Sequence, residues 1–110
     1  MEISARHLDK ITVFDISGDI DLASSPELRK ALLREIRVLR RPRVVVNLRA
    51  VRYLDSSGVA SLIEALKASR EIGSRFVLFG LNTTLREVFH ISKLTTFFEI
   101  CDNEEQAVAP

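Results

Sequence analysis

The sequence has 110 residues, with sixteen Lys and Arg against fifteen Asp and Glu for a net charge of +1. That length suits one domain, residues 1–110, with a core that needs no staples, and so even a charge balance argues against a nucleic-acid partner, whose phosphates call for a basic excess. Apolar residues at 46% and charged residues at 28% exclude a disordered chain, and the single Cys101 excludes an internal disulfide or a CxxC pair.

In chain order, residues 3–6 and 11–16 are short runs rich in Ile and Val, which predict two strands joined by a turn. Gly18 is expected to end the second, and residues 19–25 to form a polar loop. Ser25-Pro26-Glu27 starts a helix, because Pro suits a first turn and Ser supplies a capping oxygen. Ser24 with Glu27 would also fit a capping box. Leu28, Leu32, Ile36 and Leu39 then mark the core face of this first helix. Residues 44–46 are three valines with no polar alternation, as in a central strand covered on both faces. A loop over residues 47–54 leads to Asp55-Ser56-Ser57-Gly58, followed by a helical stripe of Val59, Leu62, Ile63 and Leu66 that Gly73 closes. Residues 76–79 predict a further buried strand. Asn82, Thr83 or Thr84 caps a third helix burying Leu85, Val88 and Phe89. Residues 97–100 predict a last strand and residues 104–108 a terminal helical turn.

The order β-β-α-β-α-β-α-β, with a final α, predicts an α/β fold. Its sheet should be mixed, of four to five strands, mainly parallel with an N-terminal hairpin and packed by helices. Two polar loops, residues 18–25 and 54–58, should open on the carboxyl edge of the sheet, where such folds place function.

Enzymatic signatures are lacking. Ser56 and Ser57 stand at a strand-to-helix turn, yet the glycine two before the serine of a nucleophile elbow is missing, and neither His7 nor His90 is ordered as in a triad. No third ligand follows Asp19 and Asp21, and no Walker loop or GxGxxG occurs, so no catalytic residue, metal site or cofactor is expected. Arg34, Arg37, Arg40, Arg41 and Arg43 read as a solvated face, with cations favoured at a helix end. With no apolar run near the roughly 20 residues that span a bilayer and no signal-peptide core, a cytoplasmic chain without membrane insertion is expected.

Asp55-Ser56-Ser57-Gly58 offers more capping residues than one helix needs, and Gly58 is expected to leave the backbone bare for an incoming group. A phosphate on either serine should meet free amides and the positive helix end. It should also add about two negative charges beside Asp55, Asp19 and Asp21, a change of sign suited to breaking a protein contact. Setting Val59 inward puts Ala60, Ser61, Glu64 and Ala68 outward as a partner-binding face, with Leu81 and Asn82 extending it.

The stretch Arg52-Tyr53-Leu54-Asp55-Ser56-Ser57-Gly58-Val59-Ala60-Ser61-Leu62 resembles the signature of STAS domains, and of bacterial anti-sigma factor antagonists in particular. Gly18-Asp19-Ile20-Asp21 is similar to that family's earlier glycine–acid–apolar–acid element. Residues 44–48 and 76–81 fall where its core strands lie, so the likeness runs over residues 3–102. Leu22-Ala23-Ser24 matches nothing diagnostic. The resemblance implies a partner switch. Unphosphorylated, the protein would bind an anti-sigma factor that is also a serine kinase, freeing a sigma factor. Phosphorylation from ATP would release it, and a PP2C-type phosphatase would restore it. The resemblance maps the phosphorylated serine onto Ser56, with Asp21 and Asp55 as the acids around it; spacing alone does not separate Ser56 from Ser57. The alternative is an accessory subunit of an ABC-type lipid transporter, contacting transporter subunits.

Overall fold

A valine run with no polar alternation must be covered on both faces. Val44, Val45 and Val46 are each fully buried in the computed structural model, which describes residues 1–110. Val44 and Val46 join the larger core, whereas Val45 packs on the other face with Val13, Val77, Phe79 and Ala107. Their strand, β3 (Arg43–Leu54), is the middle of a five-stranded sheet that runs in chain order. β1 (Glu2–Leu8) is antiparallel to β2 (Ile11–Ile20), and β3, β4 (Arg75–Phe79) and β5 (Glu99–Cys101) continue parallel to β2. The mixed sheet with its opening hairpin is therefore the architecture the sequence predicts.

The crossover helices are α1 (Ser25–Leu33), α2 (Ser56–Glu71) and α3 (Thr83–Ile91). They bring Leu28, Leu32, Leu62, Leu66, Leu85 and Phe89 into the larger core, while the terminal α4 (Glu104–Val108) covers part of the opposite face through Ala107. No helix is long and apolar enough to cross a membrane.

Both strands that lead to the carboxyl edge run further than predicted. Gly18 does not end β2. It bends the strand at a positive φ of 89°, between two irregularities in the ladder to β3, and pairing resumes as far as Ile20 opposite Leu54. Residues 47–54, expected as a loop, continue β3. Their buried positions Leu48, Val51 and Leu54 are spaced by three, so the two-residue alternation that signals a strand is absent. The predicted polar loop shrinks to the turn of residues 21–24.

Leu28, Leu32 and Ile36 are fully buried as predicted. Leu39 instead stands 45% exposed, because α1 widens into a π-helical turn, Arg34–Val38, that breaks the spacing. Glu35, in that turn, lies buried with its carboxylate 3.1 Å from His7 Nε2 and 3.3 Å from Thr12 Oγ1. Two of the five arginines depart from the expected solvated face. Arg41 donates to the carbonyls of Asp9 and Ile11, and Arg43 to those of Ala107 and Ala109, tying down the β1–β2 turn and the end of the C-terminal helix. At the last strand, Phe98 turns inward onto Phe89 and Phe76, with ring centroids 5.5 and 6.3 Å away, so pairing starts only at Glu99.

Candidate functional site

The pairing of Ile20 with Leu54 brings the starts of α1 and α2 side by side, and the Asp55 amide donates to the Ile20 carbonyl at 3.1 Å. Asp55 is the N-cap of α2. Its Oδ1 accepts from the Ser57 amide at 2.9 Å, the Gly58 amide at 3.1 Å and the Ser57 hydroxyl at 2.5 Å. Asp21 plays the matching part before α1. Its Oδ1 accepts from the amides of Ala23 and Ser24, both at 3.1 Å, while Ser24 Oγ accepts from the Asp21 amide at 2.9 Å. This is a reciprocal capping box one turn earlier than the predicted Ser24–Glu27 pair, and Ser24 makes no side-chain cap bond to α1.

Bonds from the Ser57 hydroxyl, then the Gly58 amide, with lesser help from the Ser57 amide, hold the Asp55 carboxyl below its usual range against an opposing cost of burial. A carboxyl depressed in the folded state stabilises the fold above its unfolded pKa, near 3.9, and that contribution fades as pH falls through the lower folded value. Asp55→Asn keeps a capping oxygen but cannot titrate. Urea unfolding midpoints measured from pH 6 to pH 2 are therefore expected to fall less steeply for Asp55→Asn than for the wild type; parallel curves would contradict this role.

The two serines differ in kind. Ser57 is half-buried with its hydroxyl committed to Asp55, whereas Ser56 is exposed at the first helical position and its hydroxyl has no partner in the chain. The sequence expectation of free amides for a phosphate is corrected at Ser57 and Gly58, whose amides Asp55 already occupies. A phosphate on Ser56 would therefore stay at the surface beside Asp55. Gly58 is not a bare approach either. It is buried, and a Cβ there would lie 2.5 Å from Leu54 Cδ1 and 2.8 Å from Ile20 Cγ2, so the missing side chain serves packing. Asp19, half-exposed at the end of β2, faces Arg52 at 3.4 Å.

The predicted docking face of α2 is largely overturned. Ser61 and Ala68 point inward, at 6% and 0% exposure. The buried stripe follows Gly58, Ser61, Leu62, Ala65, Leu66, Ala68 and Ser69, because α2 packs on α1 as well as on the sheet, and Val59 is only half-buried. The Ser61 hydroxyl lies 3.1 Å from the Ser57 carbonyl and 3.3 Å from that of Ser25, sealing this seam. Leu81 is likewise a core residue. Of the six residues, Ala60 is exposed. Glu64 lies at the surface clasped by Arg29 at 2.5 and 2.8 Å, and exposed Asn82 caps α3 while its amide donates to the Val51 carbonyl. The residue the sequence reading passed over is Leu22, 76% exposed in the turn between Asp21 and Ala23. The available signal was a large aliphatic side chain between the two capping residues Asp21 and Ser24.

Comparison with known proteins identifies the family and agrees with the fold. A family model described as STAS domain matches residues 2–107. The anti-sigma-B factor antagonist of Listeria monocytogenes is 36% identical over 104 residues, which cover 91% of this chain and 86% of that protein. Among solved structures, an anti-sigma factor antagonist from Mycobacterium paratuberculosis superposes with a TM-score of 0.84 at 23% identity, covering 97% of this chain and 90% of that one. The Bacillus cell fate determinant SpoIIAA in its phosphorylated form superposes with a TM-score of 0.77 at 20% identity, covering 97% and 96%.

Proposed function

Because this chain belongs to the STAS domain family, we propose that it is an anti-sigma factor antagonist that works as a partner switch. Unmodified, it binds an anti-sigma factor through the edge where α1 and α2 begin and thereby frees a sigma factor. The anti-sigma factor is also a serine kinase. It transfers the γ-phosphoryl group of ATP to the Ser56 hydroxyl, ADP leaves, and the phosphorylated chain separates. A PP2C-type phosphatase hydrolyses the phosphoester and restores Ser56. In this reading the whole exchange takes place in the cytoplasm, and the chain itself carries no catalytic residue.

The observation that carries the reading is the contrast between the free, exposed Ser56 hydroxyl and the Ser57 hydroxyl held by Asp55. The unequal serines favour Ser56 as the acceptor on physical grounds, since a kinase must align a hydroxyl with the γ-phosphate. The Asp55 cap keeps the added phosphate outside the fold, where it changes the surface and leaves the core intact.

The test is to incubate the chain with its purified kinase partner and ATP and to map the modified residue by peptide mass spectrometry. One phosphoryl group is expected on Ser56 in the wild type and in Ser57→Ala, and none in Ser56→Ala. Modification that persists in Ser56→Ala and vanishes in Ser57→Ala would reverse the assignment.

A further inference from the structure

We infer that Leu22 is the apolar anchor of the surface that docks the anti-sigma factor; the inference rests on the partner-switch reading above. Single exposed leucines are common and by themselves mean little. Leu22 differs in how it is held. It is 76% exposed, more than any other large apolar side chain here, yet the turn that carries it is closed by hydrogen bonds. Asp21 and Ser24 close the capping box around it, the Asp21 carboxylate accepting from the amides of Ala23 and Ser24 and the Ser24 hydroxyl accepting from the Asp21 amide. A side chain presented on a fixed turn loses little freedom on binding, so less of the gain from burying it is offset by ordering.

Its surroundings have the layout of an interface centre. Ala23 beside it is exposed and Ala60 is exposed one turn beyond Ser56, so small residues let a partner approach closely. The rim is polar: Asp21 and Asp55, then the Arg52–Asp19 and Arg29–Glu64 pairs. The occupant that fits is the kinase-type anti-sigma factor, offering an apolar socket for Leu22 with cations at its mouth to meet the two capping carboxylates. This placement also couples anchor to switch. Seating Leu22 strips water from the adjacent start of α2, so a phosphate on Ser56 would have to be desolvated for the leucine to enter.

The experiment measures the affinity of purified anti-sigma factor for wild type, Leu22→Ala, Leu22→Met, Ser56→Asp and Leu8→Ala. Leu8 is an exposed leucine where β1 ends, at the opposite edge of the sheet. Leu22→Ala is expected to weaken binding roughly 10- to 100-fold, the value of one buried leucine, with an unchanged thermal midpoint because the side chain supports no core contact. Leu22→Met should retain most of the affinity, and Leu8→Ala all of it. Leu22→Ala binding as tightly as wild type while Ser56→Asp is still rejected overturns the anchor and leaves the switch standing. Equal losses in Leu22→Ala and Leu8→Ala overturn it too. Ser56→Asp binding like wild type, with Leu22→Ala weakened, counts against the switch and for the anchor.

Discussion

Ser56→Asp is expected to weaken binding to the anti-sigma factor by about 100-fold or more, because a charge enters a surface that must shed water on docking. Asp carries one negative charge where phosphoserine carries about 1.5 to 2, so the substitution is a lower bound on the effect of phosphorylation. The added carboxylate stands beside Asp55, whose own charge is held by the Ser57 hydroxyl and the Gly58 amide and so is not relieved by protonation near neutral pH. The fold should not suffer. An acid in the first turn of α2 is favoured by the helix dipole, and Ser56 is exposed with no bond to lose. A thermal midpoint at or above that of wild type is therefore expected alongside the lost binding, and Ser56→Ala should bind normally. The two readouts together separate a surface effect from unfolding. Isothermal titration and thermal melts of the three chains check it, and undiminished binding by Ser56→Asp would remove charge as the release mechanism.

Gly58→Ala is expected to destabilise the protein by about 1–3 kcal/mol, the usual cost of overpacking. Two effects oppose each other. Alanine is about 1 kcal/mol better than glycine inside a helix, and less at the third helical position, where Gly58 sits. Against that, the new methyl would lie 2.5 Å from Leu54 Cδ1, 2.8 Å from Ile20 Cγ2 and 3.3 Å from the Ile20 carbonyl. Leu54 can swing its end aside, but Ile20 is fully buried and its carbonyl already accepts the Asp55 amide, so the helix start must lift. The expected fall in melting temperature is roughly 4 °C or more per kcal/mol for a domain near this size. Because the lift moves Ser56 and Asp55 together away from the turn at Leu22, partner affinity should fall as well. A variant that melts higher than wild type would show that the close contact is not a constraint.

These two residues illustrate how much the sequence carried. The order and type of the five strands and four α-helices were legible, since the valine run, the Leu28–Leu32–Ile36 spacing and the Asn82 cap are local signals that tertiary packing did not override. The turn Asp55-Ser56-Ser57-Gly58 and the acids near it stood out by residue type and the choice of Ser56 came from resemblance, whereas the physical difference between the two hydroxyls appears only when the Asp55 bond to the second is seen. The outer face of α2 was misjudged because a single stripe fixes a helix against one surface, whereas α2 packs against both the sheet and α1. Small residues such as Ser61 and Ala68 mark that second contact, and by type alone they look like surface. The extra length of β2 and β3 was hidden for a related reason: the bends beside Gly18 replace simple alternation with a spacing of three.

The most direct measurement compares one preparation of this chain in two states, unmodified and carrying a single phosphoryl group on Ser56, titrated against the same purified anti-sigma factor. Tight binding of the first and at least a 100-fold loss for the second are expected, with indistinguishable circular dichroism and full recovery after treatment with a PP2C-type phosphatase. Equal affinity of the two states would contradict the partner switch.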